Sequence, residues 1–216
     1  MIEHQITALG DSALTIVPKP GPVGLISSLI AAEAGTIERS RIPGVTDVVP
    51  SYESITVHYD PLRIGYFDLK SRLLSSERTG EKKVGGTLGS QRTHNIPVRY
   101  DGEDLEEVAT RTGLTTDEVI AIHMKEMYTV LVIGFVPGFA YLGQLDPRLV
   151  LPRRESPRKR VPPGSVAIAE AQTGIYPSAT PGGWHLIGTT TAKLFNPDEE
   201  RPARFIVGDH VQFVRK

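Results

Sequence analysis

The sequence predicts a mixed α+β protein in which a small α+β domain precedes an all-β domain. Over residues 1–80, short β-prone runs alternate with segments of helical apolar spacing, in the order ββαββα. Glycine and proline account for 21 and 17 of the 216 residues, and residues 134–216 hold 9 of these glycines and 10 of these prolines. Short apolar segments between such frequent turns are typical of a barrel or a sandwich.

The N-terminal domain, residues 1–80, is predicted to carry two helices on one face of an antiparallel sheet. Its first two strands are separated by Gly10-Asp11, a hairpin signal, and Pro22 suits the first turn of the first helix. Gly35 either ends that helix or is tolerated inside it. The predicted elements are strands at 5–9, 13–17, 47–50 and 54–59, a helix from residue 22 and a second helix around 67–74.

A linker is predicted at residues 81–93. This polar, glycine-rich stretch has only Val84 and Leu88 as aliphatic residues, so it cannot contribute much to a core. The remaining residues, 94–216, form the predicted β domain.

Two short helices are expected near the start of the β domain. A first strand is predicted at 95–100, followed by a helix from Leu105 that ends at Gly113. The acidic residues of that helix lie in its first turn, where the helix dipole favours them. A capping box at 115–118 opens the second helix. The apolar, β-branched run from Met127 then predicts a buried central strand.

Composition and charge exclude several classes of protein. The absence of cysteine excludes disulfides, thiolate metal sites and a cysteine nucleophile. With 24 basic and 25 acidic side chains, the net charge of −1 argues against binding to nucleic acid. The six histidines are scattered, so no protein-bound metal is predicted. Without a signal peptide or a long apolar run, we expect a cytoplasmic protein that does not enter membranes.

The loop after the central strand carries candidate binding residues. A Pro-Gly turn at 137–138 displays Phe139 and Tyr141, two aromatic side chains that either pack beneath the turn or line a pocket. The two interpretations have similar weight, because aromatic residues serve both cores and binding sites.

A basic segment follows at 148–160, with six basic side chains and one acidic one. It is either a solvated face or an anion site. Prolines flank Arg153 and Arg154 and precede Arg158, which reduces the entropy lost when a guanidinium is held against an anion. A carboxylate or a phosphate is the natural partner for these arginines.

Further polar and aromatic residues are predicted at turns between barrel strands: Gln172, Thr173, Tyr176, Trp184 and His185. Loops on a rigid scaffold are common places for binding sites. The alternative is structural, with Trp184 covering the core and His185 bonding a turn.

Long motifs in the C-terminal half resemble a known family. They are GFVPGFAYLGQLDP at 134–147, LPRRESPRKRVPPGSVAIAEAQTGIYP at 151–177, PGGWHLIGTT at 181–190 and GDHVQF at 208–213. These segments are similar to those of the family of 5-oxoprolinase B subunits (PxpB/KipI), also labelled allophanate hydrolase subunit 1 or carboxyltransferase domain C and D. The resemblance implies a ferredoxin-like α/β sandwich followed by a cyclophilin-like β-barrel.

The resemblance also implies an activity and partners. Members of this family are expected to act with a KipA-like C subunit, together with the A subunit, and to be inactive alone. The complex is an ATP-binding hydrolase that opens 5-oxoproline (pyroglutamate) to glutamate through a phosphorylated lactam, with ATP and Mg²⁺ shared with the partner. Two alternatives stay open: a regulatory protein that inhibits a histidine kinase, and a carboxyltransferase or allophanate hydrolase component that acts on urea-like substrates.

Within this family, the predicted site divides into three groups of residues. Arg153, Arg154 and Arg158 are expected to hold an anion. Gln172, Thr173, Tyr176 and His185 are expected to bind the substrate, and Phe139, Tyr141 and Trp184 to line the pocket. The sequence assigns no catalytic residue.

Two features depart from the family pattern. Glu170-Ala171 stands where a Gly-Gly pair is common, and His185 stands where an arginine often follows the tryptophan. Both departures fall in the predicted site.

Overall fold

The structure, a computed structural model, describes residues 4–18, 23–76 and 92–216. The chain divides into two compact units, Met1–Ser90 and Gln91–Lys216. The predicted linker at 81–93 lies outside the described residues except for its last two positions, and Thr93 begins a strand of the second unit.

The N-terminal unit has the predicted order of elements, ββαββα. They are β1 (His4–Ala8), β2 (Ala13–Pro18), α1 (Val23–Ser40), β3 (Val45–Pro50), β4 (Ile55–Tyr59) and α2 (Tyr66–Ser76). The four strands form an antiparallel sheet in the order β1-β2-β4-β3. Helix α1 continues through Gly35. The ferredoxin-like assignment of this unit stays a prediction.

The core of this unit forms because apolar residues alternate along its strands and recur every three or four residues along its helices. Along β4 the buried side chains of Ile55, Val57 and Tyr59 alternate with the more exposed Thr56 and His58, as expected for a sheet with one covered face. Helical side chains spaced three or four residues apart belong to the same core: Ile30, Ala34, Ile37, Leu69 and Leu73.

The C-terminal unit is mostly β-structure with two helices, as predicted. Its elements are β5 (Thr93–Val98), α3 (Leu105–Thr112), α4 (Thr116–Lys125), β6 (Met127–Ile133), β7 (Ala140–Gly143), a 3₁₀ turn (Pro147–Leu149), β8 (Arg158–Val161), β9 (Ser165–Ala169), β10 (Gln172–Ile175), β11 (Thr180–Gly182), β12 (His185–Thr189) and β13 (His210–Arg215). Strand β5 begins two residues before the predicted start at 95.

Seven of these strands form a nearly closed barrel in the order β12-β9-β10-β7-β6-β13-β5. Neighbouring strands are antiparallel except for β5 and β13, which run parallel. Just after β5, Arg99 exchanges two backbone hydrogen bonds of 2.9 and 2.7 Å with Thr189 at the end of β12, which joins the two edges. This barrel agrees with the cyclophilin-like one that the family resemblance implies.

Both helices of the C-terminal unit begin or end at the predicted residues. Gly113 closes α3 in a left-handed conformation with φ of 72°. Thr115 caps α4, and its side chain and that of Glu118 form the predicted reciprocal capping box. Across the described residues, no helix is both long enough and apolar enough to cross a membrane.

The segment between β5 and α3 lies directly against β12. A side chain at Gly102 would overlap the backbone of Leu186, Ile187 and Gly188. The backbone N–H of Asp104 also donates to the Leu186 carbonyl oxygen at 3.0 Å. Gly102 therefore permits a close approach that a larger residue would prevent.

We expect Gly102→Ala to destabilise the C-terminal unit by about 1–3 kcal/mol or more, because backbone atoms cannot move aside as a flexible side chain can. Gly134→Ala is the control, since a Cβ at Gly134 would meet only Val132 Cγ1, at 4.0 Å, and the φ of Gly134 is not in the left-handed region. Urea unfolding followed by the fluorescence of Trp184, the only tryptophan in the chain, measures both variants. Equal stability of the two variants would contradict the close approach.

Candidate functional site

Four aromatic side chains pack together on one side of the barrel wall and form the aromatic cluster: Phe139, Tyr141, Tyr176 and Trp184. The ring centre of Phe139 lies 4.8–5.6 Å from those of the other three, in edge-to-face geometry. Tyr141 is half-buried and the other three are buried. The structure therefore brings together the three predicted pocket-lining residues and Tyr176, which is predicted to bind the substrate.

The barrel wall separates the remaining predicted residues into two sets. Ala169 of β9 packs with the aromatic cluster, whereas Ile168 belongs to the main core of the C-terminal unit. Gln172 pairs with Ala169, while Thr173 and His185 both pair with Ile168. Because successive strand residues point to opposite faces, Gln172 lies on the aromatic side and the other two lie on the core side.

Thr173 takes part in a buried hydrogen-bond network centred on His123. The Thr173 hydroxyl donates to the Ala167 carbonyl oxygen at 3.0 Å, so it accepts from Nε2 of His123 at 2.9 Å. The Tyr100 hydroxyl then donates to His123 Nδ1 at 2.8 Å. The His123 ring stacks on Phe213 at 4.5 Å. This network joins α4 to the barrel strands and satisfies each buried polar atom.

Burial keeps His123 neutral. The pKa of His123 falls from 6.5 to about 3, because the fully buried ring cannot be solvated as a cation. Below pH 6.5 the unfolded chain binds a proton at this residue that the folded chain does not bind until about pH 3. Acid therefore favours the unfolded state through this residue.

We expect the free energy of unfolding of the wild type to fall by about 1.6 kcal/mol more than that of His123→Gln between pH 6.5 and pH 5. Glutamine keeps hydrogen-bonding groups in a side chain of similar length but does not titrate. Urea unfolding at the two pH values, followed by Trp184 fluorescence, gives the difference. The same pH dependence in both proteins would show that His123 is not held neutral.

Two of the three predicted anion-binding arginines are paired with carboxylates at the start of α3. Nη1 of Arg154 lies 2.8 Å from Asp104 and 3.0 Å from Glu107. Arg158 contacts Glu103 through Nε and Asp104 through Nη2, each at 2.6 Å. Their guanidinium groups thus have protein partners in this structure.

Arg153 occupies a different environment. Its side chain is 56% exposed, and its Nε lies 3.3 Å from the exposed carboxylate of Glu170. Exposed ion pairs of this kind are weak, worth about 0–1 kcal/mol. Glu170 has φ of 53°, a left-handed conformation that favours glycine. The family pattern of Gly-Gly at this point is therefore physically reasonable, and this chain places a carboxylate there instead.

Arg153 also acts on the aromatic cluster. Burial raises the pKa of Tyr141, and the positive charge of Arg153 opposes that rise. Burial likewise raises the pKa of Tyr176, with opposing effects from the Trp184 backbone and from Arg153. The positive charge of Arg153 therefore opposes the rise in the pKa of both phenol groups.

These residues define a surface that we call the arginine–tyrosine site: Tyr141, Arg153, Glu170 and Gln172. Gln172 pairs with Gly143 of β7, and Tyr141 is two residues from Gly143 on the same face. The site combines a cation and a phenol hydroxyl with an aromatic floor. Such a surface has the chemistry to bind the carboxylate or phosphate of a small molecule.

The sequence pattern does not reveal the carboxylates that pair with arginines of the basic segment at 148–160. It assigns the acidic residues before and within α3 to the helix dipole, although Asp104, Glu103 and Glu107 bind Arg154 and Arg158. Asp104 and Glu107 are separated from these arginines by 47–54 residues in the sequence, so no local pattern could have identified the pairs.

The protein has two structural units, and its C-terminal unit is a nearly closed seven-stranded barrel. A family model described as carboxyltransferase domain, subdomain C and D, matches residues 4–205. The chain therefore belongs to this family, and the predicted resemblance to the B subunits of 5-oxoprolinase is confirmed by the relatives that follow.

Two curated relatives and one solved structure support this assignment. The B subunit of 5-oxoprolinase from Bacillus subtilis (strain 168) is 40% identical over 99% of this chain and 93% of its own length. The protein of the same name from Escherichia coli O157:H7 is 42% identical over 80% of this chain and 79% of its own. The crystal structure of TTHA0988 matches with a TM-score of 0.82 and 39% identity, covering 94% of this chain but 39% of that longer chain.

Proposed function

We propose that this chain is the B subunit in an ATP-dependent 5-oxoprolinase complex. The supporting observation is the 40% identity that extends over 99% of this chain and 93% of the Bacillus subtilis relative. The N-terminal unit would then have the ferredoxin-like fold that the family resemblance implies. Because the reaction consumes ATP, we also propose that the protein works in the cytoplasm.

The proposed reaction has two stages. The γ-phosphoryl group of ATP moves to the lactam oxygen of 5-oxoproline, and ADP leaves. Water then adds to the activated carbon, the C–N bond of the ring breaks, and inorganic phosphate departs to leave glutamate. Phosphoryl transfer of this kind depends mainly on positioning and on neutralising charge.

Within that reaction, we assign to this chain the recognition of an anionic group. Arg153 would contact the carboxylate of 5-oxoproline or a phosphate, with Tyr141 and Gln172 beside it. Phe139, Tyr176 and Trp184 would form the apolar floor. Arg154 and Arg158 would fix the loop rather than bind the anion, because both are paired with carboxylates. Thr173 and His185 would support the site from the core side of the wall.

The remaining chemistry is assigned to the complex. We propose that a KipA-like C subunit, together with the A subunit, completes the active site, so that the isolated chain is inactive. The described residues contain no cluster of three or more histidine or acidic side chains suited to a metal. Mg²⁺ is therefore proposed to enter with the phosphates of ATP, its usual route in phosphoryl transfer. The kinase-inhibitor and urea-type alternatives stay predictions.

Reconstitution tests this proposal. The chain is mixed with its two partner proteins, and glutamate and ADP are measured with 5-oxoproline, ATP and Mg²⁺. We expect activity in the three-protein mixture and none from this chain alone. Absence of glutamate from the full mixture, or activity on urea instead, would contradict the proposal. Binding to a histidine kinase dimerisation domain without any lactam opening would favour the regulatory alternative.

Arg153→Ala is expected to raise the KM for 5-oxoproline in that complex by roughly tenfold or more, because a charge-assisted hydrogen bond is lost. The matched control is Arg160→Ala, which removes an exposed arginine from β8, close by in sequence, and is expected to change KM by less than about twofold. Steady-state kinetics measures both. An equal effect of the two substitutions would indicate that the basic segment is only a solvated face.

A further inference from the structure

Asp104 is a buried acid whose contacts converge on the loop that carries Arg153. Its residue is 3% exposed. The Oδ1 atom accepts from Arg154 at 2.8 Å and from Arg158 at 2.6 Å, and Oδ2 accepts from the backbone N–H of Leu186 at 2.7 Å. One carboxylate therefore joins the start of α3, both arginines beyond Arg153 and the strand β12.

Two further hydrogen bonds hold the backbone on either side of Arg153. The Pro152 carbonyl oxygen accepts from Nε2 of His185 at 2.9 Å. The backbone N–H of Arg154 donates to the Gly183 carbonyl oxygen at 2.8 Å. Arg153 is thus the one residue between two anchored neighbours, and its own side chain contacts Glu170.

This arrangement has a physical consequence for binding. A flexible arginine loses rotamer and backbone freedom when it holds an anion, and that loss weakens binding. Where the neighbouring residues are fixed beforehand, less freedom is lost. The buried carboxylate is suited to this task, because its charge is balanced by two guanidinium groups and its contacts are charge-assisted.

We propose that Asp104 is a positioning residue that fixes Arg153 for anion binding by anchoring Arg154, Arg158 and Leu186. Asp104 does not touch the anion. The assignment of 5-oxoproline as the anion rests on the proposed function, whereas the coupling between Asp104 and Arg153 does not.

A double-mutant cycle tests the coupling. Asp104→Asn keeps the shape of the side chain and removes its charge. In the reconstituted complex it should raise the KM for 5-oxoproline by roughly three- to tenfold, with a change in kcat of less than about twofold. In the Arg153→Ala background the same substitution should have no further effect, because the residue that it positions is absent.

Glu107→Gln is the matched control. Glu107 also contacts Arg154, but its side chain is 43% exposed, so its loss should change KM by less than about twofold. The melting temperature of each variant is measured in parallel. If Asp104→Asn lowers the melting temperature without changing KM, or raises KM equally with and without Arg153, the role is structural and the proposal is wrong.

A second measurement separates this inference from the proposed function. The isolated full chain is titrated with 5-oxoproline and with inorganic phosphate, and the fluorescence of Trp184 reports binding. Coupled weakening by Asp104→Asn and Arg153→Ala supports the inference even where the complex releases no glutamate. An active complex with independent effects of the two substitutions overturns the inference alone. A chain that binds neither probe, in a complex whose KM is insensitive to both residues, also overturns it.

Discussion

The carboxylate of Asp104 connects parts of the C-terminal unit that are distant in the sequence. It lies at the start of α3, yet its hydrogen bonds reach two arginines of the basic segment and the backbone of Leu186 near the start of strand β12. A buried carboxylate is costly unless its oxygens are satisfied, and here three donors satisfy them. Without the two arginines, the buried carboxylate would keep only the backbone N–H of Leu186 as a donor, so Asp104 depends on both guanidinium groups.

The barrel provides the rigid surface on which Asp104, Arg154 and Arg158 are held. Every residue of β9 is buried, because the main core covers one face of the strand and the aromatic cluster covers the other. The His123 network fixes α4 on the core side, and the arginine–tyrosine site lies on the opposite side. A site supported by strands that are packed on both faces can hold its side chains more precisely than a site on an isolated loop.

Local features of the fold were predictable from the sequence, because their causes are local. Gly113 and the capping box at Thr115 mark helix ends through neighbouring backbone atoms, and the glycine and proline excess marks turns. The arrangement of the site residues could not be predicted in this way, because it depends on contacts between distant parts of the sequence. Thr173 and His185 lie on the core side of the barrel sheet because of strand register. Arg154 and Arg158 are neutralised by acids about fifty residues earlier, a pairing that only the folded barrel produces.

Arginine-directed modification tests the central claim most directly. The folded chain is treated with phenylglyoxal, and the modified arginines are quantified by mass spectrometry. We predict rapid modification of Arg153 and slow modification of Arg154 and Arg158, which are less exposed and paired. Asp104→Asn should speed the reaction of the latter two. Equal rates for all three arginines in the wild type, or no change in the variant, would contradict the anchoring role of Asp104.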